Sequence, residues 1–231
     1  AMMLWARAPS KLLSPAERLG THLLEAGQID QAIDPLLGAV EIRLMSAGPK
    51  PALALVDRIE TALANAGIPP EDKRWGPILI YRSRIHRELG EFARALRFAD
   101  AALVRARTNG WRGSERYALH QQGLLNLDLG QIEPARVNFA TLKQLAAASA
   151  APRHVGLATA GLAEVDRRTG RADAAAKGLR EAVELLESAG DPGEAARVWR
   201  RMAAHEEARG ALAFAAKLYE QALAYNDRLG L

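Results

Sequence analysis

The sequence predicts an all-α protein made of antiparallel helical hairpins stacked in a row, and three observations predict it. Gly90, Gly130, Gly170 and Gly210 stand 40 residues apart, each followed five residues later by an alanine: Ala95, Ala135, Ala175 and Ala215. A fixed period in this range marks an array of supersecondary units. Helix start and stop signals dominate the chain, and strand-like alternation is missing. The composition, 49% hydrophobic with only 5% aromatic residues, is rich in alanine and arginine, which suits helices that approach one another closely. Such an array buries its core between neighbouring repeats and offers an extended surface, not an enclosed catalytic pocket.

The elements follow in order from these signals. Residues 1–14 are expected to be a cloning remnant, Ala1-Met2-Met3, and an N-terminal extension. Ser14-Pro15-Ala16-Glu17 then reads as a helix N-cap with proline in the first turn and a capping-box glutamate. Asp191-Pro192-Gly193-Glu194 repeats the device. Each marker glycine follows a helical run, and its tolerance of positive φ lets it end one helix and turn the chain into the next. Arg87, Arg167, Arg168 and Arg209 fall in those last turns, where a cation opposes the helix dipole favourably.

These stops predict eleven helices, near residues 15–26, 29–46, 51–66, 71–89, 91–108, 112–129, 131–149, 152–169, 171–189, 192–209 and 211–229. The last eight form four regular hairpins over 71–231, continuing as a single array from irregular helices over 15–70. Gly27 with Ala32 repeats the glycine–alanine signal, but Gly27 lies 63 residues before Gly90, off the 40-residue register. The first third is therefore expected to stack less regularly. Trp75, Trp111 and Trp199 are placed near helix starts, packing between hairpins, with Trp5 near the terminus. In the last helix Leu212, Phe214, Leu218, Tyr219, Leu223 and Tyr225 are apolar around much of its circumference. A solenoid end needs a polar cap, so either further repeats or another subunit is expected there, the former being favoured.

Aligned on the glycines, the repeat resembles a tetratricopeptide repeat (TPR) in lengthened form. Seven residues before each glycine stands a small residue: Ser83, Gly123, Ala163, Ala203. Nine after it stand Ala99, Phe139, Leu179 and Tyr219, and twelve after it Ala102, Leu142, Ala182 and Ala222. The pattern departs from the family four residues before the glycine, where His86, Asn126, Asp166 and Glu206 replace the frequent aromatic. The resemblance implies a right-handed superhelix, a TPR-like α-solenoid. Long repeats of this kind are similar to those of bacterial signalling ATPases, transcription activators and kinases, which implies a fragment of a larger bacterial regulatory protein.

The chemistry of catalysis is hard to find. There is no P-loop lysine motif, no GxGxxG and no HExxH, and His22, His86, His120, His154 and His205 are scattered singly, whereas zinc needs three or four converging ligands. Ser83 lies mid-helix without a nucleophile-elbow turn. No enzyme activity, cofactor or metal is expected. Cysteine is absent, which removes disulfides and thiolate sites and fits a reducing cytoplasm, and no apolar run is long enough for a membrane span.

By the resemblance, the first helix of each hairpin lines the concave side. The residues expected in that groove are Tyr81, Arg84, Arg87, His120, Gln121, Glu164, Arg167, Arg168, Arg200 and Arg201. The guanidinium fork holds carboxylate or phosphate through two parallel hydrogen bonds, so a protein or peptide partner, of acidic character, is expected. The competing interpretation of any one arginine is a solvated ion pair on a helix face. The net charge of +4 and pI near 9.6 support, as an alternative, a nucleic-acid-binding helical repeat. Its arginines are spread along helices, however, and not gathered in a stripe.

Overall fold

Most helices of this protein end the same way. After a final turn the chain enters one residue of left-handed backbone, and the next amide reaches back over it. In the computed structural model, which describes residues 13–228, Gly90 has φ +76°. The Glu91 amide there donates to the His86 carbonyl (2.9 Å) and the Gly90 amide to the Arg87 carbonyl (3.0 Å). These two bonds satisfy carbonyls that the helix end would leave orphaned. The turn recurs at Gly110, Gly130, Gly170, Gly190 and Gly210, all with positive φ. The repeat of turns is thus 20 residues, half the period that the marker glycines set.

One position in that series is not glycine. Ala150 closes the turn between Ala148 and Pro152 with φ +48°, and the Ala151 amide still donates to the Ala146 carbonyl (2.9 Å). A Cβ in left-handed backbone costs about 1–2 kcal/mol. The surrounding helices therefore hold Ala150 in a conformation that its own side chain opposes.

Among the described residues there are eleven helices and no strand: α1 (Pro15–Glu25), α2 (Ile29–Ser46), α3 (Pro49–Asn65), α4 (Trp75–Glu88), α5 (Phe92–Asn109), α6 (Arg112–Asp128), α7 (Ile132–Ala148), α8 (Pro152–Arg168), α9 (Ala172–Ser188), α10 (Pro192–Ala208) and α11 (Leu212–Arg228). The number and order are those expected from sequence. α4 starts at Trp75 and not near 71, because the Asp72 carboxylate accepts the Arg74 amide (2.9 Å) and Nε (2.7 Å) in a local turn. The Ala1-Met2-Met3 segment and Trp5 lie outside the described residues. No helix among those described is long and apolar enough to cross a membrane.

The chain divides into two compact units, 1–98 and 99–231, with the boundary inside α5. In the first unit α1 packs on α2, α2 on α3 and α3 on α4, around Leu36, Val40, Ile59, Leu63, Ile78 and Ile85. The helices here have unequal lengths, and ion pairs join them. Glu17, 2% exposed, accepts from Arg43 Nε (2.7 Å) and Nη2 (2.5 Å). That corrects its expected capping-box role. Ser14 Oγ does accept from the Glu17 amide (3.2 Å), but the carboxylate bridges α1 to α2 instead of turning back on the cap. Arg82 donates to Asp57 (2.6 Å) and Glu60 (2.6 Å), tying α4 to α3.

In the second unit the helices are uniform: α6 to α11 have 17 residues each. Each packs on the next in sequence, and α6 also touches α8. Small residues allow this. Phe139 of α7 is fully buried, and a Cβ built on Gly123 of α6 or Gly161 of α8 would fall 2.5 or 2.4 Å from its ring. The ring fills space that only glycine leaves. Two sequence placements are corrected here. Trp199 sits in the middle of α10 and not near its start, half-buried against the cluster around Leu179, Val183 and Met202, with Nε1 donating to Glu187 (3.3 Å). Arg209 is the C-cap residue just past α10. On α11, Ala215, Leu218 and Ala222 turn inward while Leu212, Phe214, Tyr219 and Leu223 are exposed; the Tyr225 side chain lies outside the described residues.

Two predictions follow from the turn and the ring. Ala150→Gly raises unfolding free energy by about 0.5–1 kcal/mol, the relief of left-handed strain less the added chain entropy of glycine; Gly130→Ala lowers it by about 1 kcal/mol, both read by urea denaturation. Gly161→Ala lowers stability by about 1–3 kcal/mol through overpacking against the rigid Phe139 ring, and a midpoint unchanged in that variant would contradict the packing described.

Candidate functional site

The first helices of the hairpins, α4, α6, α8 and α10, carry the sequence-predicted residues, and each unit holds its own set. In the first unit all three stand on α4. Tyr81 is half-buried against the core. Arg84 forks onto Glu41 of α2, with Nη2 at 2.9 Å from Oε1 and Nη1 bonded to Oε2, and its Nε lies 3.8 Å from Glu88. Arg87 is half-buried one turn further on. The Arg84 guanidinium is thus a tie between helices, and any acidic ligand at that point competes with Glu41.

In the second unit His120 and Gln121 stand on α6. His120 is half-buried, its ring 6.2 Å from that of Phe139. Gln121 is 6% exposed, with its buried Oε1 lacking a partner. On α8, Glu164 accepts from Arg167 Nε (2.8 Å) and Nη2 (2.6 Å) and from Arg168 Nε (2.8 Å), while Arg168 Nη1 also caps the Leu127 carbonyl of α6. Burial pushes the Glu164 carboxyl up, but the two guanidiniums outweigh it and hold it below the usual carboxylate range. On α10, Arg200 is exposed and Arg201 half-buried.

Sequence reasoning missed a tighter cluster between α6, α8 and α10. Arg153 of α8 lies over the Tyr117 ring, 5.3 Å from its centroid, donates Nη1 to the Tyr117 hydroxyl, and donates Nε to Asp191 (2.5 Å). Asp191 in turn caps α10 by accepting from the Glu194 amide (3.1 Å). His154, 7% exposed, meets the Tyr117 ring edge-on at 4.6 Å. Burial, with Arg116 and Arg153 adding like charge, lowers its pKa to about 4. In the 40-residue register Arg153 and His154 correspond to Gly113 and Ser114, one turn before Arg116 and Tyr117 on α6. Only the packing of α8 against α6 brings the four together, so the period gave no sign of them.

No constellation for nucleophilic or metal chemistry is visible among the described residues. Ser83 is fully buried beside His86, whose Nδ1 meets Glu91 at 2.8 Å. Ser83 Oγ and His86 Nε2 both lack a hydrogen-bond partner, so no imidazole–hydroxyl pair forms, and no substrate reaches a serine with zero exposure. No group of three or more histidine or carboxylate side chains among the described residues could hold a metal ion.

The fold and this surface define a helical-hairpin repeat protein. No protein-family model matches the chain, and no curated protein matches it. Solved structures do. Aspartyl phosphate phosphatase F from Bacillus subtilis is similar with a TM-score of 0.62 and 15% identity, over 99% of this chain and 61% of that one. A Rap protein complexed with competence and sporulation factor is similar with a TM-score of 0.59 and 14% identity, over 93% and 75%. A Signal Transduction ATPase with Numerous Domains from Pyrococcus horikoshii, described with a tetratricopeptide repeat sensor, is similar with a TM-score of 0.57 and 13% identity, over 84% and 32%. The chain is a TPR-like helical repeat.

The His154 shift sets a pH dependence. Its folded pKa, about 4, lies below the ordinary imidazole value of 6.5, so between those values the unfolded chain binds a proton that the folded chain refuses. This contribution is fully felt below pH 4 and vanishes above 6.5: stability falls on acidification through that window. The loss is capped at about 3 kcal/mol, and solvent screening reduces it. His154→Gln should flatten the stability profile between pH 6.5 and 4 in thermal melts; an identical slope in the variant would show that other groups carry the acid sensitivity.

Proposed function

We propose that this chain is a non-catalytic interaction module that binds a protein or peptide, or senses an effector, within a larger bacterial signalling or regulatory protein. The observation that carries this is the polar, arginine- and aromatic-bearing strip that successive first helices place side by side in the second unit, on α6, α8 and α10. The similarity to a Rap protein complexed with competence and sporulation factor and to an ATPase with a tetratricopeptide repeat sensor supports the reading at the level of fold. In the second of these the repeat match covers 32% of the chain, consistent with a module that serves other domains.

The partner's recognised segment is acidic and docks where arginine is uncommitted. Arg84, Arg167 and Arg168 are already matched by Glu41 and Glu164. Arg200, exposed on α10 beside Arg201, is the stronger candidate for direct contact, with His120 and Gln121 on α6 of the same unit, while Tyr81 and Arg87 belong to the first unit's own set. The same matching argues against nucleic acid. A phosphate backbone needs several uncompensated cations along its track, and here carboxylates already engage Arg153, Arg167, Arg168 and Arg197.

A peptide array probed with the whole chain tests the proposal. Acidic peptides should be captured, and Arg200→Glu with Arg201→Glu should weaken capture about tenfold or more, the order expected when charge-assisted contacts become repulsive. Far-UV circular dichroism and melting should stay unchanged. Capture that is equal for acidic and basic peptides, or that ignores both substitutions, would overturn it.

A further inference from the structure

Donors outnumber acceptors where α6, α8 and α10 meet. The Tyr117 hydroxyl accepts from Arg153 Nη1, which leaves its own proton with no acceptor among the described residues. Arg116 donates Nη1 to Ser149 Oγ (3.1 Å), yet its buried Nε has no partner. His154 is more than nine-tenths buried, and its Nε2 has no partner either. A buried polar atom left unpaired costs about 1–3 kcal/mol, and here two such atoms lie in neighbouring side chains of a single cluster.

The charges tell the same story. Facing this point are Arg116 from α6, Arg153 from α8, Asp191 at the N-cap of α10 and, beside Arg153, Glu194 of α10. Asp191 is committed to Arg153 and to the cap of α10, and Glu194 is committed to Arg197. Arg116, whose guanidinium bonds Ser149 Oγ, has no carboxylate within salt-bridge distance among the described residues, and it lies close to a neutral imidazole. Water could satisfy the orphaned donors but would not balance the charge. An anion with two or more acceptor oxygens does both, and Arg116 and Arg153 are both only partly buried, so a group can reach them from the surface.

We propose that this cluster is a binding site for an oxyanion, a carboxylate or phosphate group, held by the guanidiniums of Arg116 and Arg153 and the hydroxyl of Tyr117, with His154 behind it. Arg153 is already aimed, since its guanidinium carbon lies over the Tyr117 ring, 5.3 Å from the centroid, its Nη1 bonds the hydroxyl and Asp191 fixes its Nε. That preorganisation favours a planar or tetrahedral oxyanion over a diffuse counterion. The site does not depend on the interaction-module reading, because a free ion is enough to reveal it.

The test follows the His154 imidazole by NMR in the whole chain, assigned through His154→Gln, while inorganic phosphate or acetate is added at constant ionic strength. Saturable shifts are expected, together with a rise of the His154 pKa from about 4 toward its ordinary value, because a bound anion offsets Arg116 and Arg153. Tighter phosphate binding identifies a phosphate ligand, and tighter acetate binding a carboxylate. Tyr117→Phe removes only a hydroxyl, and Arg116→Gln only the charge; each should weaken binding about tenfold, the loss of one charge-assisted contact in a partly buried site. Shifts that track ionic strength alone, or affinity undiminished in the folded Tyr117→Phe chain, would overturn the proposal. Phosphate binding without any peptide capture would retire the interaction-module reading and leave this site standing.

Discussion

A chain that must reverse direction every twenty residues needs somewhere to turn, and in this protein a single left-handed residue provides it. The turn is short because the Schellman bonds let helix end and helix start share three residues. Seventeen helical residues rise about 25 Å, so helices separated by such turns come out equal in length and lie flush along their neighbours. Had the turns varied, the helices of the second unit would overhang one another and expose their ends. The one non-glycine in the series, Ala150, shows how firmly the packing enforces the geometry, because the backbone bond pattern survives there despite the unfavourable side chain.

Flush helices still have to meet closely, and that requirement explains the composition. With few aromatic residues, the core is built from alanine, leucine and glycine, and Phe139 occupies space only because Gly123 and Gly161 leave it open. The first unit solves the same problem differently. Its helices are unequal, and long-range ion pairs such as Glu17–Arg43 and Arg84–Glu41 hold them in register. Burying such pairs adds little net stability, but losing one partner would strand a charge, so they specify position more than they strengthen the fold.

Those same ion pairs reshape the functional surface. An arginine that ties two helices together is not available to a ligand without a competing cost. The candidate groove residues therefore separate into structural cations, Arg84, Arg167 and Arg168, and uncommitted ones such as Arg200. The cluster of Arg116, Tyr117, Arg153 and His154 belongs to neither group. Its bonds orient it while leaving charge and donors over, which is the condition of a site prepared for something that is not part of the chain.

Much of this was legible in the sequence alone. Glycines at fixed spacing, proline and capping residues at helix starts and the absence of alternation determined the fold class, the number of helices and most of their limits, because each is a local property of backbone conformation. Gly110 and Gly190 carried the half-period in plain view, and only the alanine between them at 150 obscured it. The sequence also assigned each candidate groove residue to the helix that carries it. Tertiary structure decided that Arg84 meets Glu41, that the Glu17 side chain leaves its cap for Arg43, and that Arg153 and His154 join Arg116 and Tyr117. Those pairings join residues more than twenty positions apart through the side-chain packing of separate helices, and no local preference encodes them.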